Sequence, residues 1–172
     1  MKVSMIFEIL LFVVLIAFQT TIFSQISVFG VATPILYVYF LIKLPIGRNV
    51  FYVITSGFLM GLIIDIFLNT PGMNAEATTI IAALRKPLLN VFFSRDGYEE
   101  FVPSIYSSTK SFVRFAIVIT IMHQTLLFFI ETFTFFNLSY TIVRILASSA
   151  LTLVTIFALD GLMYRKSSGI QA

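Results

Sequence analysis

The stretch AEATTIIAALRKPLLNVFF, residues 75–93, decides how many times this chain crosses a membrane. It begins as an apolar helix, but Arg85, Lys86, Pro87 and Asn90 interrupt its second half. The chain's other long apolar segments are more apolar still. The 172 residues are 59% hydrophobic and 11% charged, under half the share of about 25% that soluble domains carry. A chain of this composition cannot cover itself with polar surface. It reads as an all-α, polytopic membrane protein, one domain over residues 1–172.

Five other segments approach the roughly 20 apolar residues that a spanning helix needs: about 5–23, 26–44, 51–68, 112–133 and 138–164. With 75–93 they make six spans, which would use about 120 residues and leave only loops and tails. That excludes a P-loop ATPase, a Rossmann enzyme or any tethered soluble enzyme. The positive charges decide whether 75–93 crosses. If it does, and the N-terminus is inside, Lys2, Lys43, Arg48, Arg85, Lys86, Arg95, Lys110, Arg114, Arg165 and Lys166 fall at or below the cytoplasmic side. Only Arg144 falls toward the outside. If it does not cross, every later charge inverts. The positive-inside rule selects six spans with both termini cytoplasmic.

The same charges account for the pI near 9.3 without nucleic acid. Zero Cys excludes disulfide and thiolate chemistry and leaves the redox compartment open. Lys2 before an apolar run resembles a secretory leader, but the run is long and no small-x-small site follows near Gln25, so it reads as a retained first span. Tyr52 and Tyr164 at the inner boundary and Tyr140 at the outer one are interfacial anchors. The outer loops are short. The one substantial loop, 94–111, is cytoplasmic, and Tyr98, Phe101, Val102, Ile105 and Tyr106 recur in it at helical spacing, predicting an interfacial element broken near Pro103. No repeat links spans one to three with four to six, which weighs against an inverted-repeat transporter.

Function has to reside in the polar groups within spans, because each is costly unless paired or wet. Gly57, Gly61 and Asp65 recur every four residues, as do Arg144, Ser148 and Thr152. Laid antiparallel, the rows predict a seam between spans three and six, closed by an Asp65–Arg144 pair. The competing reading is a substrate or ion site at Asp65. On the inner side Glu8, Arg85, Lys86 and Asp160 form either a salt-bridged cluster or a proton relay. His123, beside Gln124, is a helix-contact residue or part of a ligand pocket. A lone His holds no metal, and no metal site or cofactor is expected. Thr33-Pro34 either caps a short helix after extended chain or kinks a continuous one. Pro71-Gly72 sets a tight reversal, with Asn74 as the cap of the following helix and Glu76 favouring its N-terminal dipole. Thr78, Thr79, Ala82, Ala83 and Arg85 on the weakly apolar fourth span are candidates for a partner interface, or else contact the chain's own helices. No catalytic constellation emerges: there is no Ser-His-Asp set, no HExxH and no phosphate-binding loop.

The order of Gly61-Leu62-Ile63-Ile64-Asp65, then Asn69-Thr70-Pro71-Gly72-Met73-Asn74-Ala75, then Ala83-Leu84-Arg85-Lys86-Pro87-Leu88-Leu89 resembles the core of the rod shape-determining MreD family, in its Bacteroides-like variant. The span from Pro34 to Pro45, and His123 followed by Phe128-Phe129-Ile130-Glu131-Thr132-Phe133, extend the resemblance over nearly the whole chain. Asn74 departs from it, since His is expected there, which argues against a titratable role at that position. The resemblance implies a non-enzymatic subunit of the bacterial inner membrane, part of the cell-elongation complex that serves peptidoglycan synthesis. Its implied partners are MreC, MreB, RodA and a class B penicillin-binding protein. The family also resembles in fold the substrate-binding subunits of energy-coupling-factor vitamin transporters, which supplies an alternative. Under that alternative Tyr37, Tyr39, His123 and Gln124 would line the pocket.

Overall fold

The computed structural model describes residues 5–28, 30–93, 102–106, 108–132 and 138–168, with side chains to residue 163. The chain is helical: α1 (Met5–Thr21), α2 (Val38–Lys43), α3 (Val50–Leu68), α4 (Met73–Phe92), α5 (Thr109–Thr132) and α6 (Leu138–Ser168), with a 3-10 turn at Phe23–Gln25. Among the described residues no strand forms, and Val28 and Ala32 meet only in an isolated antiparallel bridge. Among the described residues four segments are long and apolar enough to cross a membrane: Met5–Gln25, Val50–Leu68, Thr109–Thr132 and Leu138–Met163. Apolar side chains such as Ile6, Phe51 and Ile66 face outward from them, each more than 70% exposed, as helices solvated by lipid tails require.

α4 reaches 20 residues but is less apolar, because it carries Arg85, Lys86 and Asn90. Pro87 lies inside it without ending it, although an interior proline forfeits one backbone hydrogen bond and crowds the carbonyl four residues earlier. α3 and α4 form an antiparallel hairpin. Its turn uses two left-handed residues, Asn69 (φ 54°) and Gly72 (φ 79°), as the Pro-Gly reading implies. A Cβ on Gly61 would come within 2.5 Å of the Ala75 Cα, and one on Gly57 within 3.0 Å of the Ala82 Cβ. The glycines therefore let α4 lie almost backbone to backbone on α3.

The second segment is not a continuous span. Residues 33–35 run without regular structure and only Val38–Lys43 is helical, so the chain is broken after Pro34 rather than kinked. Pro34 is not at the first helical position; Tyr37 precedes the helix instead. The cause lies in the packing. From Ile35 to Ile42 every residue is buried, because α2 is enclosed by α1, α4 and α5. A helix apolar all round belongs inside a bundle, and the enclosed position has room for a short one.

Tyr98, Glu99, Glu100 and Phe101 lie outside the described residues. So do Lys2, Arg95 and the side chains of Tyr164, Arg165 and Lys166. Val102–Tyr106 form no helix; they lie as an irregular strap.

Candidate functional site

The polar groups inside the bundle gather into three sets, each built around a buried carboxylate or the broken segment. The first is at Asp65. Its backbone carbonyl accepts the amides of Asn69 and Thr70 and so ends α3. Its carboxylate accepts the amides of Asn74 (3.1 Å) and Ala75 (2.8 Å), two of the donors that a helix N-terminus leaves unpaired. The Thr70 hydroxyl and the Asn74 side-chain amide donate to the same carboxylate. One residue thus closes α3 and caps α4, its charge lying on the positive end of the α4 dipole.

This overturns the expected Asp65–Arg144 pair and with it the seam between spans three and six. Arg144 instead donates to Glu131 at 3.2 Å and lies 4.4 Å over the Phe128 ring. Gly57 and Gly61 face α4. Ser148 and Thr152 do share a face, but what they meet is the broken segment: Ser148 Oγ accepts the Thr33 amide at 3.1 Å, and Thr152 Oγ1 accepts the Ile35 amide at 3.0 Å. Gln19 on α1, which the sequence reading passed over, takes the Leu36 amide at 2.7 Å and donates to the Pro34 carbonyl. Irregular backbone at membrane depth needs such partners, because lipid supplies none. Asn74 is not the cap of α4. It is the second helical residue, and its side chain bridges Asp65 to the Tyr37 hydroxyl (2.7 Å).

The second set resolves the inner cluster. Arg85, 2% exposed, pairs with neither Glu8 nor Asp160. Its guanidinium donates to the carbonyls of Leu41 (2.5 Å), Leu44 and Pro45, so it caps the C-terminal end of α2. A planar fork of N–H donors suits several converging carbonyls, and a cation suits the negative end of a helix. Glu8 is taken by Arg48 (2.5 Å) and the Tyr52 hydroxyl (3.0 Å). The bond to Glu8 raises the Arg48 guanidinium above its ordinary value. Tyr52 is therefore tied to a carboxylate beyond any role as an anchor.

The third set is at Asp160, fully buried on α6. It accepts from Lys43 (2.5 Å), the Tyr39 hydroxyl (2.9 Å), the Ser104 hydroxyl (3.0 Å) and the Ile105 amide (2.8 Å). Lys43 also donates to the Pro103 carbonyl. The strap 102–106 is thereby fastened to α2 and α6 together.

Thr78, Ala82 and Arg85 face inward, so they contact the chain's own helices and are not a free partner surface; Thr79 is half-buried and Ala83 exposed. The four pocket candidates are all buried, but only two meet: the rings of Tyr37 and His123 pack edge-on with centroids 5.3 Å apart. Tyr39 goes to Asp160, and Gln124 donates to Thr152 at 3.1 Å. Outward small residues lie instead on α6. There Ala147 and Ala150, with Val143, Val154, Val28 and Ala32, line an open apolar groove of about 480 Å³. Among the described residues no group of three or more His, Asp or Glu could hold a metal ion. Compared with family models, curated proteins and solved structures, the chain matches none.

Proposed function

We propose that this chain is a non-enzymatic, six-span scaffold subunit of the bacterial cell-elongation complex in the inner membrane, with both termini cytoplasmic. Its partners on this reading are MreC, MreB, RodA and a class B penicillin-binding protein. The observation that carries the proposal is how the resembling stretch folds. Gly61, Asp65, the Asn69–Asn74 turn and Arg85 form one unit, in which both charged groups serve as helix caps and not as donors to a ligand. Such an interior builds a rigid surface for other subunits.

The six crossings rest on the α3–α4 hairpin. At about 1.5 Å per residue, 20 residues of α4 reach across the roughly 30 Å hydrocarbon layer, and the antiparallel register returns the chain to the side from which α3 began. The broken second segment crosses as covered irregular chain followed by α2. Small residues along the α6 groove allow close approach of a partner's spanning helix, which is the role we give Ala147 and Ala150.

The test is affinity purification of the tagged chain in mild detergent, with mass spectrometry of the proteins and small molecules recovered. Recovery of an MreC-type protein with the wall-synthesis enzymes, lost on Ala147→Trp, supports the scaffold. Recovery of an ABC-type ATPase pair and a bound vitamin overturns it in favour of a transporter subunit.

A further inference from the structure

We propose that the bundle holds a buried hydration site between α5, α6 and the broken segment, where Thr120, His123, Gln124 and Ser149 bind one or more water molecules. The inference does not depend on the partners proposed above.

Five polar atoms carry it: Thr120 Oγ1, His123 Nδ1, His123 Nε2, Gln124 Oε1 and Ser149 Oγ. All are buried, and none has a hydrogen-bond partner among the described residues. Thr120, His123 and Gln124 are fully buried, and Ser149 is 3% exposed. They line one seam between α5 and α6: His123 and Gln124 lie level with Thr152, Thr120 about one turn to one side of that level and Ser149 about one turn to the other. Thr120 precedes His123 by three residues and Gln124 by four, which places it beside both on α5. The Gln124 amide reaches Thr152 on α6, and Ser149 lies one turn before Thr152 on the same helix. The Tyr37 ring closes the side toward α2.

The two hydroxyls differ from several others on these helices. Thr78, Thr79 and Thr125 each turn back and donate to the carbonyl four residues earlier, the usual resting place of a helical hydroxyl. Thr120 and Ser149 do not, although that carbonyl is within reach of any helical Ser or Thr. Both ring nitrogens of His123 are unpartnered. A flip of the amide does not remove the problem at Gln124. Turning the Gln124 amide would leave its nitrogen unpaired in place of its oxygen.

The chemistry of the set selects the occupant. A neutral imidazole offers one donor and one acceptor, each hydroxyl offers both, and the Gln124 oxygen only accepts. No charge is called for, because Asp65, which reaches Tyr37 through Asn74, directs its bonds to Thr70, Asn74 and Ala75. The smallest species that donates and accepts at once is water, and buried waters typically satisfy two to four such groups each.

The experiment is hydroxyl-radical footprinting of the purified protein by X-ray radiolysis, read residue by residue by mass spectrometry. Radicals formed from a bound water oxidise the side chains beside it whether or not bulk solvent reaches them. Phe112 and Phe115 are the internal reference, since they are equally buried but pack among aromatic rings. His123 and Tyr37 are expected to oxidise several-fold faster than both phenylalanines. In the folded Thr120→Val, Gln124→Leu, Ser149→Ala triple variant the rates should fall to the phenylalanine level. Oxidation of His123 and Tyr37 no faster than Phe112 and Phe115 in the unaltered protein overturns the proposal, whatever the variant's folding. So does fast oxidation that persists unchanged in the folded triple variant.

Discussion

Asp65 on α3 holds Asn74 on α4 by both of its nitrogens, the backbone amide at 3.1 Å and the side-chain amide at 2.8 Å, on one carboxylate oxygen. The other oxygen takes the Ala75 amide. Removing the carboxylate takes the acceptor from two buried helix-terminal amides. Hydrogen bonds to charged groups contribute about 1.5–3 kcal/mol each, so Asp65→Ala should destabilise the protein by at least about 3 kcal/mol. Asp65→Asn keeps one acceptor oxygen and should recover part of the loss. Melting of a fluorescent-protein fusion, followed by size-exclusion chromatography in detergent, gives the order. A variant as stable as the parent would refute the cap.

Arg85 makes the matching contact at the other end of the hairpin. Arg85→Met relieves a buried charge but leaves the carbonyls of Leu41 and Leu44 without donors. Because a buried acceptor stranded in this way costs about 1–3 kcal/mol, the loss should outweigh the relief. Arg85→Lys keeps the charge but not the planar fork. In the same melting assay it should fall between the parent and Arg85→Met, and equality of Lys with Arg would contradict the assignment.

The two glycines of α3 should respond differently to one methyl group. At Gly61 the added Cβ meets backbone atoms of Asn74 and Ala75 at 2.5 Å, and neither can move without parting the helices. At Gly57 it meets the Ala82 side chain at 3.0 Å. Overpacking costs about 1–3 kcal/mol. Gly61→Ala should lie at or above the upper end and Gly57→Ala near the lower, a difference readable as the separation of their melting points.

Much of this was legible in the residues. The helices α1, α3 and α6 follow from apolar runs, and the reversal at Pro71-Gly72 follows from its turn chemistry. The four-residue spacing of Gly57, Gly61 and Asp65 correctly marked one face, yet spacing cannot say which neighbour that face meets. Charge pairing favoured distant Arg144. The actual partners, the amides of Asn74 and Ala75, are backbone groups that every residue carries and no pattern advertises. The same holds for Arg85, whose partners are carbonyls, and for Ser148 and Thr152, whose partners are amides of the broken segment. Gln19 gave one signal, a lone amide in an apolar helix, but nothing in the sequence tied it to Pro34 and Leu36.

Asp160 should control access to the inner end of the bundle. The strap 102–106 is fastened through Ser104, the Ile105 amide and Pro103, all by way of Asp160 or its partner Lys43. In Asp160→Asn the amide loses charge and one acceptor oxygen, so the strap should loosen. An Ile105→Cys probe, unambiguous because the chain has no other cysteine, should then react faster with a maleimide added to the purified protein in detergent. Equal rates with and without Asp160→Asn would show that the strap is held by other contacts.

The polar face of α3 builds this chain's own α3–α4 hairpin and not a seam with α6. Cysteine cross-linking tests this most directly. In Gly57→Cys with Ala82→Cys, the Cβ atoms stand within a few tenths of an ångström of the roughly 3.5–4.5 Å that a disulfide spans, and mild oxidation in membranes should link them in high yield. Gly61→Cys with Ser148→Cys, the pair that a seam between α3 and α6 would join, should stay unlinked under the same conditions. Cross-linking of the second pair without the first would contradict the account.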